Sequence, residues 1–347
     1  MIRNPRKSSP VLRAERSIQS AVGSGVPVDA VAFFARWWEL ETFLRELVYL
    51  EMSASRGQGW QKFIDRKFLD RAEQDVKNRY MDSPDADNPL AYLDTSALFR
   101  LIGSPECWPL CEPSLLPRVR WEGFVDALTD LRNRNAHARR PHADDLARLE
   151  QALRDLEPGA RTAFAAFNRQ ERWWEDQDDP VATAWVTGEH EDARRLVAHA
   201  ERRYGIDFAL WSSDRPWSLP VEGPISGLPG HLWHAEWVLH DGRFLSPREF
   251  WLDSHLDRPG VRDLIVHIVQ DHDALVSVSF AAVDEPVAVS NAIGACFDAV
   301  ISASHAHIPE RRRARWRQEA TGLDVRVQVD SALSMMTDDA PFRIFGV

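Results

Sequence analysis

Between Leu131 and Arg140 the chain places Arg132, Asn133, Arg134, Asn135, His137, Arg139 and Arg140 at the end of an apolar segment. These side chains suit phosphate-ester chemistry. A histidine titrates near neutral pH and can give or take a proton. An arginine presents a planar fork to phosphate oxygens, and an asparagine can orient a ring or a phosphate. The same residues also describe an ordinary basic helix end, where cations meet the negative pole of the dipole. A second pair, Glu41 and Arg45, interrupts a stripe that Phe34, Trp38, Val48 and Met52 otherwise make apolar. If that stripe is buried, its two charges must be paired and hydrogen-bonded. Their i, i+4 spacing permits this. A parallel stripe, Phe33, Trp37, Leu40, Leu44 and Leu47, competes for the core and would leave the first one solvated.

Helices must carry both sets. The 3.6-residue period predicts a long helix over 28–55, ended by Arg56-Gly57 and Gly59. A second is expected over 60–80, a loop over 82–89, a short helix over 90–101 and a proline-rich loop over 103–117. A fourth helix over 118–138 shows Trp121, Val125, Leu128 and Leu131 on one face, and a fifth runs over 142–174 with a break at Pro158-Gly159. This is an all-α bundle of about five helices.

Arg132-X4-His137, with Asn133 directly after the arginine, resembles the Arg-X(4–6)-His motif of the HEPN superfamily. Glu41-X3-Arg45 on the first long helix is similar to that family's acidic-X3-basic supporting pair. The texture around both resembles the abortive-infection and toxin-like branches. The likeness covers about 140 residues, from ~30 to ~170. It implies a metal-independent endoribonuclease for single-stranded RNA, in which the 2′-hydroxyl attacks the adjacent phosphorus and leaves a 2′,3′-cyclic phosphate. His137 would move the protons, Arg132 would stabilise the phosphorane oxygens and Asn133 would position Arg132 or the phosphate. Glu41 and Arg45 would support them, and Arg134, Arg139 and Arg140 would contact RNA phosphates. No cofactor or metal is implied. An ideal helix sets residues five apart roughly 140° round its axis, so Arg132 and His137 do not share a face. A distorted helix end, an arginine side chain that wraps back, or a site combined from two chains would each resolve this; the family resemblance implies the third, a cleft at a dimer interface, and with it a homodimer through the helical domain. It also implies a toxin or anti-phage effector controlled by a trigger ligand or antitoxin. The alternative is a catalytically idle HEPN module for dimerisation or ligand binding.

The 347 residues suffice for about two domains, and 44% hydrophobic with 27% charged residues is an ordinary globular composition. The expected plan is a basic tail (1–27), the HEPN-like all-α bundle (28–174), an acidic linker (175–192) and a C-terminal α+β domain (193–347) of sensory or regulatory role. In that domain the sequence predicts a helix over 193–204, a hairpin of 237–240 and 243–245 about Asp241-Gly242, strands over 263–270 and 274–283, a helix over 287–304, a basic helix over 310–320 and a strand over 324–329. No apolar run approaches the ~18 uncharged residues of a membrane span, so no membrane is expected. A formal net charge of −11 argues against a general nucleic-acid coat but allows a local basic cleft. Cys107, Cys111 and Cys296 are an odd, small set, which points to reduced thiols and the cytoplasm. The C-terminal histidines lack metal-ligand spacing, and the tryptophans between Trp211 and Trp251 are expected mostly in the core, with a stacking pocket as the other reading.

Overall fold

The computed structural model describes residues 10–78, 88–136, 141–173, 178–271, 274–310, 312–313, 316, 323–324, 326–329, 336–337 and 343–347. After α1 (Pro10–Gly23), which forms where a basic tail was expected, comes α2 (Val28–Arg56), a rod of 29 residues. Packing decides between its two stripes. Phe33, Trp37, Leu40, Leu44 and Leu47 are buried, whereas Phe34 and Trp38 are 65% and 64% exposed. From Leu47 to Ser55 every residue is buried, so the second half of α2 is enclosed on all sides. The rod stops at Gly57, whose φ of 57° suits glycine.

Around α2 lie α3 (Arg66–Val76), α4 (Thr95–Ile102), α5 (Trp108–Cys111), α6 (Arg118–Ala136) and α7 (Asp145–Asn168). The helix expected over 60–80 is instead a 3-10 stretch, Gly57–Phe63, followed by α3. Asp65 starts α3 by accepting the Lys67 amide. The helix expected over 90–101 divides likewise into a 3-10 stretch, Pro89–Tyr92, and α4, because Asp94 caps the Ala97 amide. An aspartate bonded to an amide two or three residues on begins a new helix rather than continuing an old one. The loop expected over 103–117 contains α5 and a 3-10 turn at Glu112–Ser114. The break expected at Pro158 is absent, and α7 runs through it. Its apolar face is buried on both sides of the proline, from Leu149 to Leu156 and from Ala160 to Phe167, and this packing against α2 outweighs one missing amide donor.

The second half contains β1 (Glu171–Arg172), α8 (Pro180–Val186), α9 (Glu191–Tyr204), β2 (Ile206–Asp214), β3 (His231–Leu239), β4 (Arg243–Leu245), α10 (Pro247–Trp251), α11 (Val261–Leu264), β5 (Ile265–Asp271), β6 (Leu275–Ala281), α12 (Pro286–Ala303), β7 (Ser304–Ala306) and β8 (Val327–Gln328). The main sheet has the order β1-β2-β3-β6-β5-β8, antiparallel except for β5–β8. The chain is thus a helical N-terminal layer followed by an α+β half. β2 had not been anticipated from the sequence. The β5–β6 hairpin matches expectation, but the one about Asp241-Gly242 does not: the turn forms, with φ of 54° and 68°, yet β4 pairs with β7 rather than β3. The segment read as an acidic linker holds α8, whose Val181, Ala182 and Trp185 are in the core. Asp179 is buried there and accepts the Val181, Ile225 and Ser226 amides. The basic helix expected over 310–320 lies largely outside the described residues.

Alternation gives the sheet two different faces. Trp233, Ala235 and Trp237 pair with Phe280, Val278 and Val276 and lie in one core with residues of α8, α9 and α12. By length and hydropathy α12 has the dimensions of a membrane span, but Asp298 interrupts it and most of it is buried in this core. The opposite face turns to the helical layer: Phe167 of α7 stacks on His267 at 4.2 Å and meets His234 edge-on.

A buried ion pair crosses the junction. Arg215 donates to both carboxylate oxygens of Glu51, at 2.6 and 3.1 Å, and both side chains are fully buried. Trp217 Nε1 adds a third donor to Glu51 at 2.7 Å, and Arg215 also donates to the Ala163 carbonyl of α7. Removing one partner leaves a buried charge uncompensated. Glu51→Ala or Arg215→Ala should therefore cost about 3–5 kcal/mol in urea unfolding, and the double variant Glu51→Leu/Arg215→Met should recover part of that loss.

Candidate functional site

The residues singled out at the end of α6 fall into two groups. Leu128 and Leu131 anchor the helix inward, and Asn135 continues their stripe one turn on. Asn135 donates to the Leu131 carbonyl at 3.0 Å and to Asp145 at 3.4 Å. Arg134 reaches Asp145 with two bonds, at 3.1 and 2.7 Å. The backbone amide of His142 donates to the same carboxylate at 3.1 Å. Asp145 is buried and opens α7. The Arg134 hydrogen bonds, above all, hold its carboxyl below the usual carboxylate range. Asp145 is therefore a clasp that fixes the end of α6 to the start of α7. Arg134, expected at RNA phosphates, is engaged in that clasp.

Arg132 and Asn133 lie outside it. Both are half-buried, and among the described residues the Arg132 guanidinium makes only a long 3.5 Å contact, with Asn133 Oδ1. Among the described residues, no carboxylate pairs with Arg132. His137, Arg139 and Arg140 lie outside the described residues, immediately beyond the last described residue of α6.

Glu41 and Arg45 pair as their spacing predicts, at 3.2 Å. Arg45 also donates to the carbonyls of Leu90 and Leu93, at 3.1 and 3.2 Å, and Thr95 hydrogen-bonds to Glu41. The pair thus fastens the Pro89–Tyr92 turn and the start of α4 to α2. Among the described residues no hydrogen bond or ion pair joins it to Arg132 or Asn133.

The sequence reading had missed Asp145. Its one signal was an Asp144-Asp145 pair at a helix start soon after a basic run, a position where carboxylates favour the dipole. Glu51 had a clearer signal, as a lone charge in an otherwise uncharged stretch, Leu47–Ser55. The other candidates resolve as structure. Trp233, Trp237 and Trp251 are buried in the C-terminal core, and Trp217 serves Glu51, so these four form no stacking pocket. His234 sits between Ser213 and Ser279, and burial pushes it down to about 3. His231 and His240 pair with Asp214 and Asp207. No group of three or more metal-ligating side chains occurs among the described residues. Cys107 and Cys111 are buried free thiols with their sulfurs 3.6 Å apart.

One titratable group at the junction has no ion-pair or hydrogen-bond partner among the described residues. Glu46 of α2 lines a cavity of about 20 Å³ with Phe43, Phe164, Phe167, Val266 and His267. That volume suffices for about one water molecule. Burial, with no compensating cation among the described residues, raises Glu46 to about 8 and leaves it protonated at neutral pH.

Comparison with family models, with curated proteins and with solved structures returns no match for this chain.

Because the folded carboxyl of Glu46 retains a proton that the unfolded chain releases near 4.5, its contribution to stability is complete below pH 4.5 and is lost as pH rises through about 8. Urea midpoints measured at pH 5 and pH 8.5 should fall in the wild type, and Glu46→Gln should flatten that fall.

Proposed function

We propose that residues 28–174 form a HEPN-type ribonuclease domain and that the chain is a metal-independent endoribonuclease acting on single-stranded RNA. The observation that carries this reading is the difference between two arginines on the same helix end. Arg134 is clasped by Asp145, while Arg132 is half-buried and unpaired with any described carboxylate. A half-buried guanidinium that no described carboxylate neutralises suits a developing phosphorane. In this reading His137 takes the proton from the 2′-hydroxyl and supplies one to the leaving oxygen, giving a 2′,3′-cyclic phosphate and a 5′-hydroxyl. Asn133 steadies Arg132. Arg139 and Arg140 extend the phosphate track, and Arg134 positions the helix end instead of contacting RNA. Glu41 and Arg45 act one step removed, through the turn they hold.

The α+β half then serves as a regulator. α2 carries Glu41 at its middle and Glu51 toward its C-terminal end, about 15 Å apart along the axis, so a trigger ligand or antitoxin acting on the sheet can bias the helical layer through it. The whole would act in the cytoplasm as a toxin or anti-phage effector, as a homodimer whose two chains complete one cleft.

A second reading, an idle HEPN module, is favoured by one observation: Glu41 and Arg45 engage the 89–95 segment rather than Arg132.

The two separate on expression of wild type, His137→Ala and Arg132→Ala. Active wild type should slow growth and leave RNA ends with cyclic phosphate, and each variant should lose about 10²-fold or more of the cleavage rate. Equal toxicity of all three, or intact RNA throughout, would instead support the idle module.

A further inference from the structure

α7 carries Arg154 and Arg161 two turns apart, an interval that returns to nearly the same face about 10 Å further along the axis. The segment 343–347 brings Arg343 to that face. Together they border a cleft of about 480 Å³, lined also by Glu157, Pro158 and Val347. Small-molecule sites have volumes of this order. The walls are fixed by contacts of their own. Glu157 accepts the Ile344 amide at 2.7 Å and the Phe345 amide at 3.2 Å. Phe345 is buried and meets Phe43 of α2 edge-on, and its carbonyl accepts from Arg36.

The cleft inverts the charge of the chain. The molecule carries a formal net charge of −11, yet here three guanidiniums surround one carboxylate. That carboxylate already accepts the two amides, and it lies 3.9 Å from Arg161, a long ion pair. No aspartate or glutamate among the described residues pairs with Arg154 or Arg343. Arg154 donates to the Gln151 side chain and Arg343 to the main-chain oxygen of Val347. Each guanidinium carries five N–H groups, so most of their donors stay open to a ligand. Cations gathered on a concave surface focus their field there and draw in a multivalent anion. The guanidinium fork fits phosphate oxygens in pairs.

We propose that this cleft binds a small anion built on a phosphate chain, either a nucleoside diphosphate or a free oligophosphate, with Arg154, Arg161 and Arg343 on the phosphates. Two of these arginines are rooted about 10 Å apart, so a chain of phosphates engages all three more readily than a single phosphate does. Pro158 and Val347 set apolar surface beside the charges, which suits the nucleoside end of such a ligand. Once bound, the ligand ties α7 to the segment 343–347. The cleft begins about 14 Å along α7 from Asp145. It is therefore separate from the end of α6, and the inference does not rest on the nuclease reading.

The test is isothermal titration calorimetry of the full chain in magnesium-free buffer. The probes are ADP, inorganic pyrophosphate, adenosine, sulfate and a short 2′-O-methyl RNA, which no 2′-hydroxyl mechanism can cut. Wild type should bind ADP or pyrophosphate at one site per chain, and adenosine alone should not bind. Arg154→Ala and Arg343→Ala should each weaken binding by about 10-fold or more. Both arginines are exposed, and unchanged far-UV circular dichroism of the ligand-free variants excludes unfolding. Arg248→Ala, an exposed arginine on α10, serves as the control and should bind as wild type does. ADP binding tighter than pyrophosphate supports the nucleoside form of the ligand, and equal binding supports the free chain. Absence of binding by both overturns the proposal, as does binding that both variants leave intact. Sulfate bound as tightly as pyrophosphate also overturns it, as general attraction of anions. RNA that displaces ADP, and is itself lost in the two variants, overturns it in favour of a nucleic-acid path. Binding is read without turnover, so an inactive chain contradicts only the proposed function.

Discussion

The Glu51–Arg215 pair is the constraint on which the two halves of the molecule depend. Two opposite charges taken fully out of water are tolerated only when nearly every lone pair and proton finds a partner. Here the carboxylate receives three donors, and the guanidinium reaches the α7 backbone and lies over the ring of Phe167 at 4.9 Å, although its Nη1 has no hydrogen-bond partner among the described residues. α2, α7 and the chain just after β2 are therefore held by one polar knot inside an apolar junction. The geometry of that knot fixes the angle and depth at which the helical layer meets the sheet, which hydrophobic contact alone would leave loose.

α2 has a different environment at its middle and at its C-terminal end. At its middle, Glu41 and Arg45 are each nearly a fifth exposed, and pairs in that setting are worth little in themselves. Their value lies in satisfying the carbonyls of Leu90 and Leu93. Near its end, Glu51 is fully enclosed. The same two residue types, glutamate and arginine, thus make a local fastening in one place and a joint between layers in the other. Dielectric and backbone demand make the difference.

Periodicity was enough to place α2, α7, α12 and the β5–β6 hairpin, because each depends on a repeat that local residues set. It could not choose between the Phe33 and Phe34 stripes, since both fit the period and only the elements packed around α2 decide which is covered. Nor could it find the Pro158 passage, where packing outweighs a local rule, or the partner of β4, which lies some sixty residues away at Ser304–Ala306. At the candidate site the residue types around Arg132 were legible. The clasp that separates Arg134 from Arg132 was not, because it needs Asp145 to be placed across a chain reversal. Glu51 is the one charge among Leu47–Ser55 and was not singled out, and nothing local names Arg215, which is 164 positions further on.

The passage of α7 beneath the Glu112–Ser114 turn has a consequence for how this chain can vary. At Gly159 a β-carbon would come within 2.3 Å of the Ser114 carbonyl oxygen, so two main chains touch directly there. Contact between main chains is blind to the side chains on either side of it. Neighbouring positions can change identity without moving α7, and the α6 end that leans on it can diversify on a fixed base. The cost is that this tolerance is concentrated in one glycine: at that single position even alanine must push the turn away.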